Sequence, residues 1–228
     1  MNEREKILGR IREALQNMAP YPGQHHGKEA HLPEEPPVTD AREWLPAVGA
    51  GLDEPLALFA KNATELKADF RLLPSIKAVR ETLVELRSAE KWERVACHSG
   101  GLTDAVLPML GLPLLRTDRP YDAQTLEKCD VGISECDALV AQTGSVLVTS
   151  RSCGGRALSI LPPHHVVLAH REQLLPDLPA AFEMLSTRYA PNYPSMISFI
   201  TGPSRTGDIE RILVLGAHGP KKLTILCF

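Results

Sequence analysis

The stretch ITGPSRTGDIERILVLGAHGPKKLTILCF, residues 200–228, finishes on Leu226, Cys227 and Phe228, where chain ends ordinarily fray into polar residues. An apolar finish predicts that Leu223 to Leu226 is a strand laid inside a sheet, with Phe228 closing it. Two more apolar runs come before it, Met196 to Ile200 and Ile212 to Leu215. The two intervals carry Gly202-Pro-Ser-Arg-Thr206 and Gly216-Ala-His-Gly-Pro220, turn-forming sequences that leave Ser204, Arg205, Thr206 and His218 free to converge at one rim.

Upstream of this stretch the chain alternates. Helical periodicity marks residues 55–68, 75–87, a segment from Thr103, 122–129 and 176–186, with short apolar runs at 70–73, 94–97 and 112–115 between the first of them. Such alternation argues for a sheet of parallel strands covered by helices. In the second half strands come faster than helices. Asp137 to Gln142 and Ser145 to Thr149 read as a hairpin about Thr143-Gly144, and Ala157 to Leu161 and Val166 to Ala169 as strands parted by Pro-Pro-His-His, which predicts antiparallel pairs beside the parallel core. The fold class expected is α/β, a three-layer α/β/α sandwich with a mostly parallel, partly mixed sheet.

Two segments at the start stand apart from this domain. Residues 2–18 repeat Ile7, Leu8, Ile11, Ala14, Leu15 and Met18 at helical steps, and residues 19–54 are rich in proline, with His25, His26 and His31 among Gly and Glu. The expected division is a helix and Pro-rich arm over 1–54 and an α/β domain over 55–228. A formal net charge of -3 among 228 residues lacks the basic footprint of a nucleic-acid binder. The charged opening and the shortness of every apolar run predict no membrane span and a cytoplasmic address. Five cysteines without any C-x-x-C predict neither a disulfide framework nor a metal or iron–sulfur site.

Four glycine loops follow apolar runs: His98 to Gly101, Gln142 to Ser145, Thr201 to Thr206 and Gly216 to Pro220. Ligands of open α/β sheets lie beyond the strand carboxyl ends, where loops offer amides and hydroxyls. Arg205 can take a carboxylate or phosphate as a planar fork, Ser204 and Thr206 can donate to the same anion, and Asp208 can orient Arg205 or cap a helix. The plainer reading is a turn closed by an Arg205–Asp208 ion pair. Thr143, Gly144 and Ser145 can add hydroxyls and an amide, or simply turn a hairpin. His218, beside Gly219, is a candidate for proton transfer, or a turn histidine. Glu135 is a candidate nucleophile or base at a pocket mouth, with a solvated strand-end carboxylate as the alternative. Cys153 before Gly154-Gly155 has no base beside it in sequence. His164 and His165, adjacent on an extended segment, point apart and seldom share a metal.

Asp137-Ala-Leu-Val-Ala-Gln-Thr-Gly-Ser-Val-Leu-Val148, Leu161-Pro-Pro-His-His-Val-Val-Leu168, Ile200 to Glu210 and Leu215-Gly-Ala-His-Gly-Pro220 follow in the order and spacing of a known signature. They resemble the lactate utilization protein C family of LUD-domain proteins, over about residues 55–228. The resemblance implies a fold similar to the ribose-5-phosphate isomerase, CoA-transferase and formyltetrahydrofolate cyclo-ligase superfamily. It also implies a part in oxidising L-lactate to pyruvate beside two partner proteins that carry iron–sulfur centres. This chain lacks the cysteine runs of those partners, so it is expected to be the cluster-free member, with no cofactor of its own. Three roles remain open on this reading: an accessory or ligand-binding subunit for an anionic small molecule, an independent acyl-transfer or phosphosugar enzyme using Glu135 or His218, and a structural subunit that docks on the iron–sulfur proteins.

Overall fold

The computed structural model describes residues 3–16, 47–206, 214–216 and 218–228. Two compact units divide the chain, Met1–Asp40 and Ala41–Phe228. The first contains helix α1 (Glu3–Gln16), which realises the helical periodicity read from residues 2–18. Most of the Pro-rich arm lies outside the described residues.

The second unit is built on a six-stranded sheet. Its strands are β1 (Asp69–Leu72), β2 (Val95–Cys97), β3 (Leu114–Arg116), β4 (Val131–Glu135), β7 (His164–Ala169) and β12 (Lys222–Cys227). They run in the order β1-β12-β7-β4-β2-β3, and every neighbouring pair is parallel. The apolar terminal run is β12, an interior strand of this sheet, paired with the edge strand β1 on one side and β7 on the other. An interior parallel strand is buried on both faces and therefore has to be apolar along its length, which answers why Leu223 to Cys227 reads as it does.

Helices cover the two faces. On one lie α3 (Ile76–Glu90) and α4 (Gly101–Val106), whose Val79, Leu83 and Val106 meet Val95, Ile133, Val166, Leu168 and Leu226. The Ser75 hydroxyl starts α3 by accepting the Ala78 N–H, and Lys91 ends it in the left-handed region at φ 56°. On the other face α2 (Asp53–Glu65) buries Phe59 and Ala63 against Val167, Ile225 and Cys227. Short α5 (Ala123–Glu127) puts Leu126 over Ala96.

The antiparallel pairs belong to a second sheet, which also holds one parallel pair. In it β5 (Ala138–Val140), β6 (Ser145–Thr149), β8 (Leu174–Leu175) and β9 (Ile197–Ile200) take the order β8-β5-β6-β9. Leu139, Val146 and Val148 face the α2 side of the parallel sheet, while Ala138, Val140 and Leu147 face α6 (Leu178–Tyr189) through Ala181, Leu185 and Tyr189. Period-two alternation thus sends one set of side chains to each of two cores. The last pair, β10 (Arg205–Thr206) with β11 (Val214–Leu215), is antiparallel.

Two sequence expectations are corrected. Residues 157–161 form turns rather than a strand, with Leu158 buried, and the strand that follows starts at His164, so both histidines sit in the sheet and not in the connection. Strand β4, unmarked in the sequence reading, is central.

Candidate functional site

The register of the parallel sheet defines two ends. At the amino end Lys222 pairs with His164, and His164 with Val131; at the carboxyl end Leu168 pairs with Glu135, and Ile133 with Cys97. A six-residue strand separates them by roughly 16 Å at about 3.3 Å per residue.

At the carboxyl end Glu135 is engaged rather than solvated. Its Oε1 accepts the N–H groups of Leu102 at 2.8 Å and Thr103 at 3.1 Å, and the Thr103 hydroxyl at 3.3 Å. These are donors of the first turn of α4 that no helical carbonyl can serve. Gly100 makes the approach possible, because a Cβ there would fall 2.2 Å from Oε1. The Glu135 N–H donates to His98 Nε2 at 3.2 Å, and His98 Nδ1 lies 2.9 Å from the Ser99 carbonyl. A carbonyl only accepts and Nε2 receives an N–H, so in this arrangement Nδ1 is the donor of the ring. Around it Arg116 donates to Ser99 Oγ and pairs with Asp104 at 2.7 Å, while Ser99 is held by Asp118. The arrangement braces the ends of β2, β3 and β4.

Asp137 follows at the start of the second sheet and is buried. Its Oδ1 accepts the Tyr189 hydroxyl and Arg188 Nη1, the latter at 3.1 Å, while Oδ2 has no partner among the described residues. Burial, and then the Asp137 carboxylate, push the Tyr189 phenol above its ordinary range. Cys153 is buried, its thiol aimed at the Gly155 carbonyl, and burial raises it to about 11, which removes it as a nucleophile near neutral pH.

The other three glycine loops meet at the amino end, against the last turn of α2. Asn62 on that helix donates to the carbonyls of Ala141 and Gln142, both at 2.9 Å, and so docks the hairpin. Gly144 packs its bare α-carbon on the Asn62–Ala63 backbone. The Ser145 hydroxyl lies 2.7 Å from that of Thr201, tying this hairpin to the loop after β9. Gly202, at φ 89°, passes the Leu66 carbonyl so closely that a Cβ would lie 2.6 Å from it. Arg205 Nη2 donates to the same carbonyl at 2.7 Å. The Ser204 N–H donates to Pro220 at 2.9 Å, the Gly216 N–H returns to Ser204 at 3.0 Å, and Gly219 faces the Ser204 side chain. The Lys221 N–H donates to Pro163, which fixes the loop to the start of β7. Arg205 and His218 are exposed.

Thr143, Gly144, Ser145, Gly202, Ser204, Arg205, His218 and Gly219 are therefore brought to one end of the molecule. Thr143 Oγ1 is buried without a partner among the described residues, as are Nδ1 of His164 and His165. Thr206 pairs with Val214 in β10, and Asp208 lies outside the described residues. Glu135 is not part of this group, being at the opposite strand end from His218. The rule that placed ligand loops beyond strand carboxyl ends holds only for His98 to Gly101.

Beside the loops, at the amino ends of β7 and β12, lie two adjoining clefts of about 200 and 220 Å³. Both are lined by Glu90, His164, Lys221 and Lys222, residues the sequence reading did not group. Lys222 Nζ lies 2.7 Å from Glu90 Oε1, and this bond holds the Glu90 carboxyl below its ordinary range. His164 Nε2 lies 2.9 Å from the Thr224 hydroxyl, and its ring meets Trp92 edge-on at 5.4 Å. Burial lowers its pKa to about 4. On the opposite face of β7, His165 Nε2 meets Ser134 Oγ at 2.9 Å, and burial lowers it to about 3. An unmet buried ring nitrogen costs about 1–3 kcal/mol. Their pairing explains the double histidine: each fills a polar position in a different core.

The LUD domain family matches residues 112–227, from β3 to the end of β12. Lactate utilization protein C of Anoxybacillus flavithermus is 32% identical over 166 residues, 65% of this chain and 74% of that protein. Lactate utilization protein C of Geobacillus kaustophilus is 28% identical over 209 residues, 82% of this chain and 83% of that protein. Among solved structures, a DUF162 family protein from Deinococcus radiodurans superposes with a TM-score of 0.64 at 18% identity, covering 78% of this chain and 99% of that one, a likeness of fold. With a match across half its length that takes in both the hairpin and the His218 loop, this chain belongs to the LUD domain family.

Proposed function

We propose that the chain is a cluster-free, anion-binding component of a lactate utilization system, working in the cytoplasm beside iron–sulfur partner proteins. The name shared by its relatives supports the system. The observation that carries the binding role is the meeting of three loops at Ser145–Thr201 and Ser204–Gly219, beside the exposed Arg205. Among the described residues one of the five guanidinium donors of Arg205 is used, on Leu66, and a fork with the other donors unused there suits a carboxylate or phosphate. His218 supplies a second exposed donor from the neighbouring loop. All five cysteines are buried and outside disulfides, and iron–sulfur chemistry is assigned to the partners.

An enzyme using Glu135 is the less favoured reading, since Oε1 already serves two amides and a hydroxyl. The test is a thermal-shift screen of L-lactate, pyruvate, phosphate and CoA, together with co-purification of iron–sulfur proteins. Stabilisation by a small anion and recovery of those partners is the expected result. Stable partner capture with no shift by any anion would leave a docking subunit and remove the binding role.

A further inference from the structure

We infer that the carboxylate of the ligand is received by Lys221 in the cleft at the amino ends of β7 and β12, and that the ligand is a small monocarboxylate carrying a second oxygen. This rests on the reading that the loop end of the sheet is the ligand end. Charge bookkeeping within the clefts selects the cation. Lys222 is paired with Glu90, and Arg71 with Asp69 at 2.8 Å. Asp130 Oδ2 accepts the N–H groups of Glu93 and Arg94, both at 2.8 Å. Lys67 and Lys221 line the cleft with no ion pair among the described residues, which leaves the cleft short of negative charge. Lys221 directly follows Pro220 and is anchored through its own N–H to Pro163, so its position is set by the loop that presents His218.

The second observation is His164. It is 5% exposed, lines both clefts, spends Nε2 on Thr224 and leaves Nδ1 without a partner among the described residues. Burial keeps the ring neutral near pH 7, so Nδ1 offers a hydrogen or a lone pair according to how the Thr224 hydroxyl turns. A keto or hydroxyl oxygen next to a carboxylate matches that choice. Size points the same way. The two adjoining clefts, about 200 and 220 Å³, each fall below the roughly 300–1,000 Å³ that drug-sized ligands occupy, which suits a small acid.

Calorimetric titration of pyruvate, L-lactate and inorganic phosphate into the full chain and into Lys221→Met, Lys221→Arg and Arg205→Ala tests the inference. Melting curves are run beside it to check folding, and ring ¹⁵N spectra of His164 are recorded. The expected result is at least tenfold weaker binding of pyruvate or lactate by Lys221→Met, recovery in Lys221→Arg, and a shift of the His164 Nδ1 resonance on binding. Phosphate bound as well as the carboxylates would overturn the ligand class. Full binding by folded Lys221→Met with loss in Arg205→Ala would overturn the cleft and leave the loop reading standing. No binding by the wild-type chain would remove both.

Discussion

Arg205 donates to the main-chain carbonyl of Leu66 across 2.7 Å, joining positions 139 residues apart. Leu66 closes helix α2, where carbonyls lack helical partners and a cation is favoured. The bond serves structure and leaves the rest of the guanidinium fork toward solvent. Arg205→Ala is expected to cost about 0.5–1.5 kcal/mol, the worth of one hydrogen bond, in a urea midpoint. Loss of the whole fold instead would show that the residue is structural first.

Glu135 and Gly100 form a lock on helix α4. Gly100→Ala places a methyl where Oε1 now sits, so the carboxylate must leave its amides, at an expected cost of about 1–3 kcal/mol. Glu135→Gln keeps an acceptor and should cost less. The double variant should cost less than the sum of the singles, because both changes break the same contacts. Strict additivity in chemical denaturation would contradict the lock.

Acid should loosen the protein through the two sheet histidines. Their folded pKa values, about 4 for His164 and about 3 for His165, lie below the ordinary 6.5, with burial the main cause. As pH falls below about 6.5 the unfolded chain takes up protons that the folded chain refuses. The stabilisation is therefore complete above that value and is lost between there and about 4 for His164 and about 3 for His165, with a slope near 1.4 kcal/mol per pH unit for each histidine. Gln at both positions should lower stability at pH 7.5 yet flatten this dependence. An unchanged slope would show that other groups set it.

The buried bond from Tyr189 to Asp137 ties helix α6 to the second sheet. Tyr189→Phe should cost about 1.5–3 kcal/mol, the range for hydrogen bonds to a charged group. A change below 0.5 kcal/mol in the unfolding free energy, on the order of a surface substitution, would mean that Arg188 alone satisfies the carboxylate.

Much of this architecture can be read from residue order. The alternation of helix and strand, the hairpin at Thr143-Gly144 and the apolar finish at Phe228 follow from periodicity and turn chemistry. Strand β4 escapes because Gly132 and Ser134 interrupt its apolar run. Gly132 is set by a distant contact, since a Cβ there would lie 2.5 Å from the Leu158 carbonyl, and Ser134 is set by His165. Residues 157–161 mislead in the opposite sense: an apolar run whose buried Leu158 covers β4 from a turn.

The site was legible as a set of loops but not as a location. Whether a glycine loop lands at the amino or carboxyl end of a sheet depends on the direction of each strand. The hairpin β5–β6 and the return through β9 reverse that direction without leaving a mark in composition. For the same reason Glu135 and His218, both plausible chemically, were separated only by the register. The cleft residues Glu90, Trp92 and Lys222 come from three elements and share no motif.

The most direct measurement is calorimetric titration of pyruvate and L-lactate into the wild-type chain, Arg205→Ala and Lys221→Met, with Lys77→Ala on an exposed face of α3 as control. Binding by wild type and the control, weakened at least tenfold in folded Arg205→Ala or folded Lys221→Met, is the result expected if the loop end of the sheet holds the anion. Equal affinities in all four proteins, or heat from none of them, would contradict it.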